Sequence, residues 1–269
     1  MNQVTDQQII EILRKEAVPA LGCTEPVACA LACAKCKEVL GGVPERLDVL
    51  VSGNIYKNGM GVGIPGTGMV GLPIAAALGA VCGKSEYGLE VLKEVNVGDN
   101  LQRAKDMLGQ VTVSLKEDAP DKLYAEALAT KGNDTVKVII AHTHTNIVLV
   151  EKNGEEIFKR EFRLDTSKPE DKGPELSVKR IWDFVHEVDV KDIEFVLQGA
   201  EMNKAISAEG LNSEYGLQIG KTLKENIDKG LLEDDLLNRT LIRATAASDA
   251  RMDGCPKPVM TNSGSGNQI

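Results

Sequence analysis

The sequence predicts an α+β fold, a mostly helical body with a small α/β subdomain inserted into it. Apolar residues recur at helical spacing in 5–40 and again from about 168 to 247, whereas parts of 86–165 alternate apolar and polar residues as strands do. An Asn-Gly pair in "KNGE" (152–155) adds a hairpin turn to the alternating region. The expected division is residues 1–85 and 166–269 for the helical body and 86–165 for the insert.

Each element has its own justification. "TDQQIIEILRKEA" (5–17) opens on a Thr5/Gln8 capping box and places Ile9, Ile10 and Leu13 on one helical face. A second helix begins at Thr24, with Glu25 and Pro26 in its first turn, where an acid suits the helix dipole and proline forfeits no hydrogen bond; it stops at Gly41–Gly42. "RLDVLVSG" (46–53) reads as a strand entering a glycine-rich loop over 54–68, and "MVGLPIAAALGAV" (69–81) as a buried helix. In the insert, 108–115, 135–152 and 155–162 read as strands; from 168 the pattern is helical to about Ala247.

Composition narrows the function. A chain of 269 residues, 42% hydrophobic, can bury a sizeable core, and an aromatic content of 3% makes that core aliphatic, with close backbone approaches. The net charge of −9 argues against nucleic acid and against an anionic membrane, both of which call for a basic face. The most apolar stretch, 71–83, is too short and too broken by glycine to span a bilayer. The expected setting is cytoplasmic and the expected partner a small molecule. Six cysteines without the look of a secreted disulfide framework are expected to be reduced thiols.

Cys29, Cys33 and Cys36 match the bare spacing C-x3-C-x2-C, which resembles the cluster motif of radical S-adenosylmethionine enzymes. On a continuous helix, however, the outer two lie roughly 10 Å apart along the axis, so the competing reading is an apolar stripe of small thiols facing the core. Cys23 differs in standing just ahead of a helix N-terminus. An unperturbed thiol is only about 3% thiolate at pH 7, and a helix start can bring its pKa down to roughly 7, making a base or nucleophile; a small structural residue there is the alternative. His142, His144 and Asn146 are expected on one face of a strand, a spacing that can present two imidazoles to a metal or simply to the surface. The glycine-rich stretches 52–68 and 259–268 combine exposed backbone with Ser, Asn or Lys, the ingredients of a carboxylate- or phosphate-binding nest.

Taken in order, "PALGCTEPVACALA", "SGNIYKNGMGVGIPGTG", "HTNIV" and "ARMDGCPKPVMTNSGSGNQ" closely resemble the L-cysteine desulfidase family, related to the iron-sulfur L-serine dehydratases. The resemblance implies a β-eliminating lyase that converts L-cysteine to pyruvate, ammonia and sulfide, or L-serine to pyruvate and ammonia. It also implies a [4Fe-4S] cluster with one open iron as Lewis acid and, by the match to "GCTEP", Cys23 as the base that removes the α-proton. Lys57, Asn58, Ser263, Ser265 and Asn267 are the expected substrate-binding residues. Members of the family continue past "NSGSGNQG" into a helical region that carries the cluster cysteines, and none of the six cysteines here matches a ligand position. The expectation is therefore a fragment, a subunit completed by a second polypeptide, or an inactive chain, with a homo-oligomer also open and little lyase activity from these 269 residues alone. A non-catalytic amino-acid-binding or regulatory protein is the alternative.

Overall fold

The computed structural model describes residues 4–160 and 176–262. Its helices are α1 (Asp6–Glu16), α2 (Thr24–Leu40), α3 (Gly53–Gly59), α4 (Leu72–Val81), α5 (Asn100–Met107), α6 (Val178–Glu187), α7 (Val190–Ile193), α8 (Leu197–Asn212), α9 (Ile219–Asp228) and α10 (Leu236–Met252). The strands are β1 (Pro19–Ala20), β2 (Arg46–Val51), β3 (Gly63–Ile64), β4 (Met69–Val70), β5 (Val111–Leu115), β6 (Tyr124–Lys131), β7 (Asp134–Ala141), β8 (Ile147–Lys152), β9 (Glu155–Lys159) and β10 (Val259–Met260). The α+β class follows directly.

Local chemistry sets the first helices. Thr5 and Gln8 form the expected capping box at α1, and α2 ends where Gly41 turns left-handed at φ 73°. The β8–β9 turn is made by Asn153 and Gly154 at positive φ (52° and 84°), the geometry a two-residue hairpin needs.

A six-stranded sheet in the order β5-β2-β6-β7-β8-β9 forms the frame. The β2–β5 pair is parallel and the other pairs antiparallel. One face is apolar: Leu47 and Val49 of β2, Ala127 and Ala129 of β6, and Val138 and Ile140 of β7 are all buried. The other face is mixed, with Leu50, Leu128 and Ile139 among charged residues such as Lys137 of β7, which is bonded across to Glu151 of β8 at 2.8 Å. Helix α2 lies across the apolar face on β6 and β7, and α4 covers α2 from outside. Buried on both sides, α2 has little amphipathic contrast, and Cys29, Cys33 and Cys36 are 0% exposed in its packed interior. A continuous helix in the core is incompatible with the radical-enzyme reading, which needs these three on an irregular loop.

The expected division of the chain is not what the packing follows. β2, from the region assigned to the body, sits between β5 and β6, and one apolar cluster runs from Val27 to Val150. Among the described residues, the strands of 86–160 therefore share one sheet and one core with β2. The cause is that β2 buries alternate residues and needs neighbours on both edges, which only the later strands supply. Conversely α1 leaves the N-terminal half to pack Ile9 and Ile10 on Phe184 of α6. Two smaller corrections follow: 54–59, expected to be loop, belong to the helix α3, anchored by Ile55 at 1% exposure, and 135–152 is two strands joined by the turn that holds His142–Asn146.

Burial pushes the thiols of Cys29, Cys33 and Cys36 above the usual range, Cys29 up to about 12. A thiol that ionises later in the folded than in the unfolded chain gives stability that is intact below about pH 9 and lost as pH rises towards the folded value. Each such thiol contributes a slope of about 1.4 kcal/mol per pH unit in that window. The thermal midpoint is expected to fall steeply between pH 9 and 12, and less steeply in Cys29→Ala; identical slopes in the two proteins would contradict this.

Candidate active site

Cys23 is the residue from which α2 springs. Its backbone is extended (φ −80°, ψ 141°) and its side chain does not cap the helix. Instead Sγ donates to Oε2 of Glu25 at 2.8 Å. Glu25 accepts on its other oxygen from Asn58 Nδ2 of α3, at 3.1 Å. Arg251 of α10, 3% exposed, donates from Nε to the carbonyl of Gly22 at 3.2 Å, and its charge acts on both Cys23 and Glu25. His144, in the β7–β8 turn, lies within electrostatic reach of Glu25 and Arg251.

Backbone pairings hold these distant segments together. β1, just before Gly22, pairs with β10, and Thr261 donates both N–H and Oγ1 to the carbonyl of Val18, at 2.9 and 2.7 Å. The strand β3 meets the turn after α10 so closely that a Cβ on Gly63 would sit 2.3 Å from the carbonyl carbon of Asp253. Gly66 N–H then bonds the carbonyl of Gly254 at 3.2 Å.

The electrostatics reverse one expectation. Cys23 is pushed up to about 12, first by burial and then by the charge and hydrogen bond of Glu25, against a weaker opposing pull from Arg251. The helix start does not win, because burial disfavours the thiolate and the carboxylate two residues along accepts a hydrogen bond from the neutral thiol. Burial raises Glu25, but the hydrogen bonds from Cys23, its own backbone and Asn58 outweigh it and bring the carboxyl below its ordinary value. Burial also lowers His144, keeping it neutral at pH 7. Iodoacetamide at neutral pH is therefore expected to modify Cys23 about as slowly as Cys29 in the folded protein, and both rapidly once unfolded. Fast, selective labelling of Cys23 on peptide mass spectrometry would show that the thiolate is the resting form.

A cleft of about 300 Å³ lined by Lys15 and Glu16 at the end of α1, by His142 to Thr145 and by Thr261 shares His144 with this cluster; Cys23, Glu25, Asn58 and Arg251 do not line it. Its wall includes Leu89, whose carbonyl accepts from the N–H of Leu21, two residues before Cys23. A larger hollow of about 880 Å³ between α1 and α8 contains none of the cluster residues.

Of the expected site residues, the structure brings together Cys23 and Asn58. Lys57 is exposed on α3, and Ser263, Ser265 and Asn267 lie outside the described residues. The two histidines do not share a strand face. His142 has φ 70° and bonds Asp121 through Nδ1, whereas His144 faces the Glu25 cluster. Sequence reasoning missed Glu25 as the partner of Cys23, and Arg251 altogether. The signal for Glu25 was a carboxylate two residues after a thiol; Arg251, in the mixed run "RATAASDARM", carried no comparable signal.

The sequence profile of the serine dehydratase alpha chain matches residues 86–268. The chain belongs to the serine dehydratase alpha-chain family. Within reach of it are a UPF0597 protein of Actinobacillus pleuropneumoniae serotype 3, 48% identical over 265 residues, which are 98% of this chain and 61% of that protein. A UPF0597 protein of Dichelobacter nodosus is 48% identical over 99% of this chain and 62% of its own length, and one of Parabacteroides distasonis 46% identical over 100% and 63%. The chain thus spans about three-fifths of the curated relatives it matches. No solved structure matches it significantly.

The family relation raises the question of an iron-sulfur cluster. Among the described residues no group of three or more His, Cys, Asp or Glu side chains is placed to hold a metal. Cys29 and Cys33 are closed in by the core, Cys36 faces the carbonyls of Ala127 and Val136, and Cys82 donates to the carbonyl of Leu78. These thiols do not fit a cluster. No described helix is long and apolar enough to cross a membrane.

Proposed function

We propose that this chain supplies the amino-acid-binding and proton-abstracting part of a β-eliminating lyase acting on a small amino acid, L-cysteine or L-serine. The observation that carries the reading is the 2.8 Å hydrogen bond from the Cys23 thiol to Glu25, with His144 both in electrostatic reach of Glu25 and lining the cleft. Between the lowered pKa of Glu25 and the value of about 12 for Cys23, the pair carries one negative charge and one shared proton. Moving that proton from Sγ to Oε2 creates a thiolate without a second negative charge, and Arg251 balances the one that exists. The thiolate then takes the substrate's α-proton, so the pair ends with both members protonated. His144, which lines the cleft and lies within electrostatic reach of Glu25, returns the proton to solvent.

Lys57 by its charge, and Asn58 with Ser263, Ser265 and Asn267 by hydrogen bonding, are the proposed holders of the substrate's carboxylate and amine. Chemistry at the leaving group is not assigned to any described residue. Anaerobic assay of a protein that carries this sequence extended to the length of its relatives tests the reading: pyruvate and sulfide from L-cysteine, or pyruvate from L-serine, are expected. Tight amino-acid binding with no pyruvate from either would favour the binding-protein alternative.

A further inference from the structure

The C-terminal helices carry their apolar residues on the outside. Among the described residues, fourteen of the twenty exposed large hydrophobic side chains lie between 176 and 241. The buried cluster of the same region comprises only Ile206, Ala247, Ala250, Cys255 and Val259.

Helix α6 shows the imbalance most sharply. Val178, Ile181, Trp182 and Val185 follow the i, i+3, i+4, i+7 spacing of a single helical stripe, and are 86%, 45%, 65% and 61% exposed. The helix is nevertheless fixed in place by its adjoining side. Phe184 is buried against Ile9 and Ile10 of α1, and Arg180 donates Nε to the carbonyl of Val4 at 2.6 Å while pairing with Asp6. The apolar arc of α6 is wider than α1 can cover, and the uncovered part is a pattern used for helix-to-helix docking. Lys179 and Asp183 flank the stripe and are paired with each other at 2.6 Å. They present no net basic field to an anionic surface.

We propose that this stripe is the docking face for the part of the family that the chain does not span, about two-fifths of the relatives' length. Those relatives are 46–48% identical to this chain over 98% or more of it, so in them the corresponding helices belong to a longer polypeptide. A protein segment with its own apolar helix face is the partner whose chemistry matches the stripe.

Trp182 is the single tryptophan of the chain and sits in the stripe, so it reports its own burial. Hydroxyl-radical footprinting read by mass spectrometry is to be run on the 269-residue chain, and on the same sequence extended with the remaining segment of the Actinobacillus pleuropneumoniae relative. Oxidation of Trp182 is expected to be high in the chain alone and to fall several-fold in the extended protein. The double variant Val178→Glu with Val185→Glu should restore oxidation in the extended protein while leaving the thermal midpoint of the chain alone unchanged, because both side chains are exposed there. Equal oxidation of Trp182 in the two proteins overturns the proposal. Protection in the chain alone that grows with concentration also overturns it, in favour of pairing between two copies.

Discussion

Replacing Cys23 by serine, in a protein extended to the length of its relatives, is expected to lower the elimination rate by roughly 10²–10⁴, the usual worth of a general base. Serine keeps nearly the shape of the thiol, and its hydroxyl can donate the same hydrogen bond to Glu25, so binding of the amino acid should change little. What it cannot do is give up that proton at an acceptable cost. Glu25→Gln is expected to be as damaging for a complementary reason: the amide preserves the contact with Asn58 but cannot take the thiol proton. Because the two residues act as one unit, the double variant should lose no more than either alone. Cys29→Ala, in the interior of the same helix, should keep turnover. Near-full activity of Cys23→Ser would place the base elsewhere. Full activity of Glu25→Gln with loss in Cys23→Ser would keep the base and reject the shared proton.

The sequence made the start and end of α1 and α2 legible, because caps are local: Thr5 with Gln8, and Gly41, act within one turn. The sheet was only half legible. β6 reads "YAEALATK", where alanine and glutamate carry little strand preference, yet those alanines are what the site requires. They let α2 approach the sheet closely enough for Cys36 Sγ to lie 3.5 Å from the carbonyl of Ala127. The pairing of β2 with β5 and β6 spans more than sixty residues and has no local signature. The same limit applies to the site. Cys23 and Asn58 stood in recognisable motifs, but the charge state of Cys23 depends on which way the Glu25 side chain turns and on Arg251, 228 residues on in the numbering. A helix-dipole argument weighs only the backbone; here burial and one adjacent carboxylate outweigh it.

A large loss of stability is expected from Gly79→Ala, a single added methyl. Gly79 lies where α4 crosses α2, and a Cβ there would sit 2.1 Å from the carbonyl oxygen of Ala30 and 2.8 Å from its carbonyl carbon. The obstacle is backbone, so no rotamer change relieves it, and the two helices must move apart. Overpacking a tight core costs about 1–3 kcal/mol and sometimes more, out of a total stability of roughly 5–15 kcal/mol. For a chain of this size that corresponds to a loss of about 2–12 °C in thermal midpoint. Gly61→Ala is the control, since a Cβ at Gly61 meets nothing within 4 Å, and it should leave the midpoint within about 1 °C. The effect should also reach the active site. α2 carries Cys23 and Glu25 on its first turn and is held against the sheet by α4, so a displaced α2 loosens the contact from Asn58 to Glu25 and admits water to the thiol. Cys23 should therefore alkylate faster in folded Gly79→Ala than in the parent at the same temperature, while Gly61→Ala matches the parent. A destabilised Gly79→Ala in which Cys23 stays as slow as before would mean that the N-terminus of α2 is held by β1, β10 and Arg251 without help from α4.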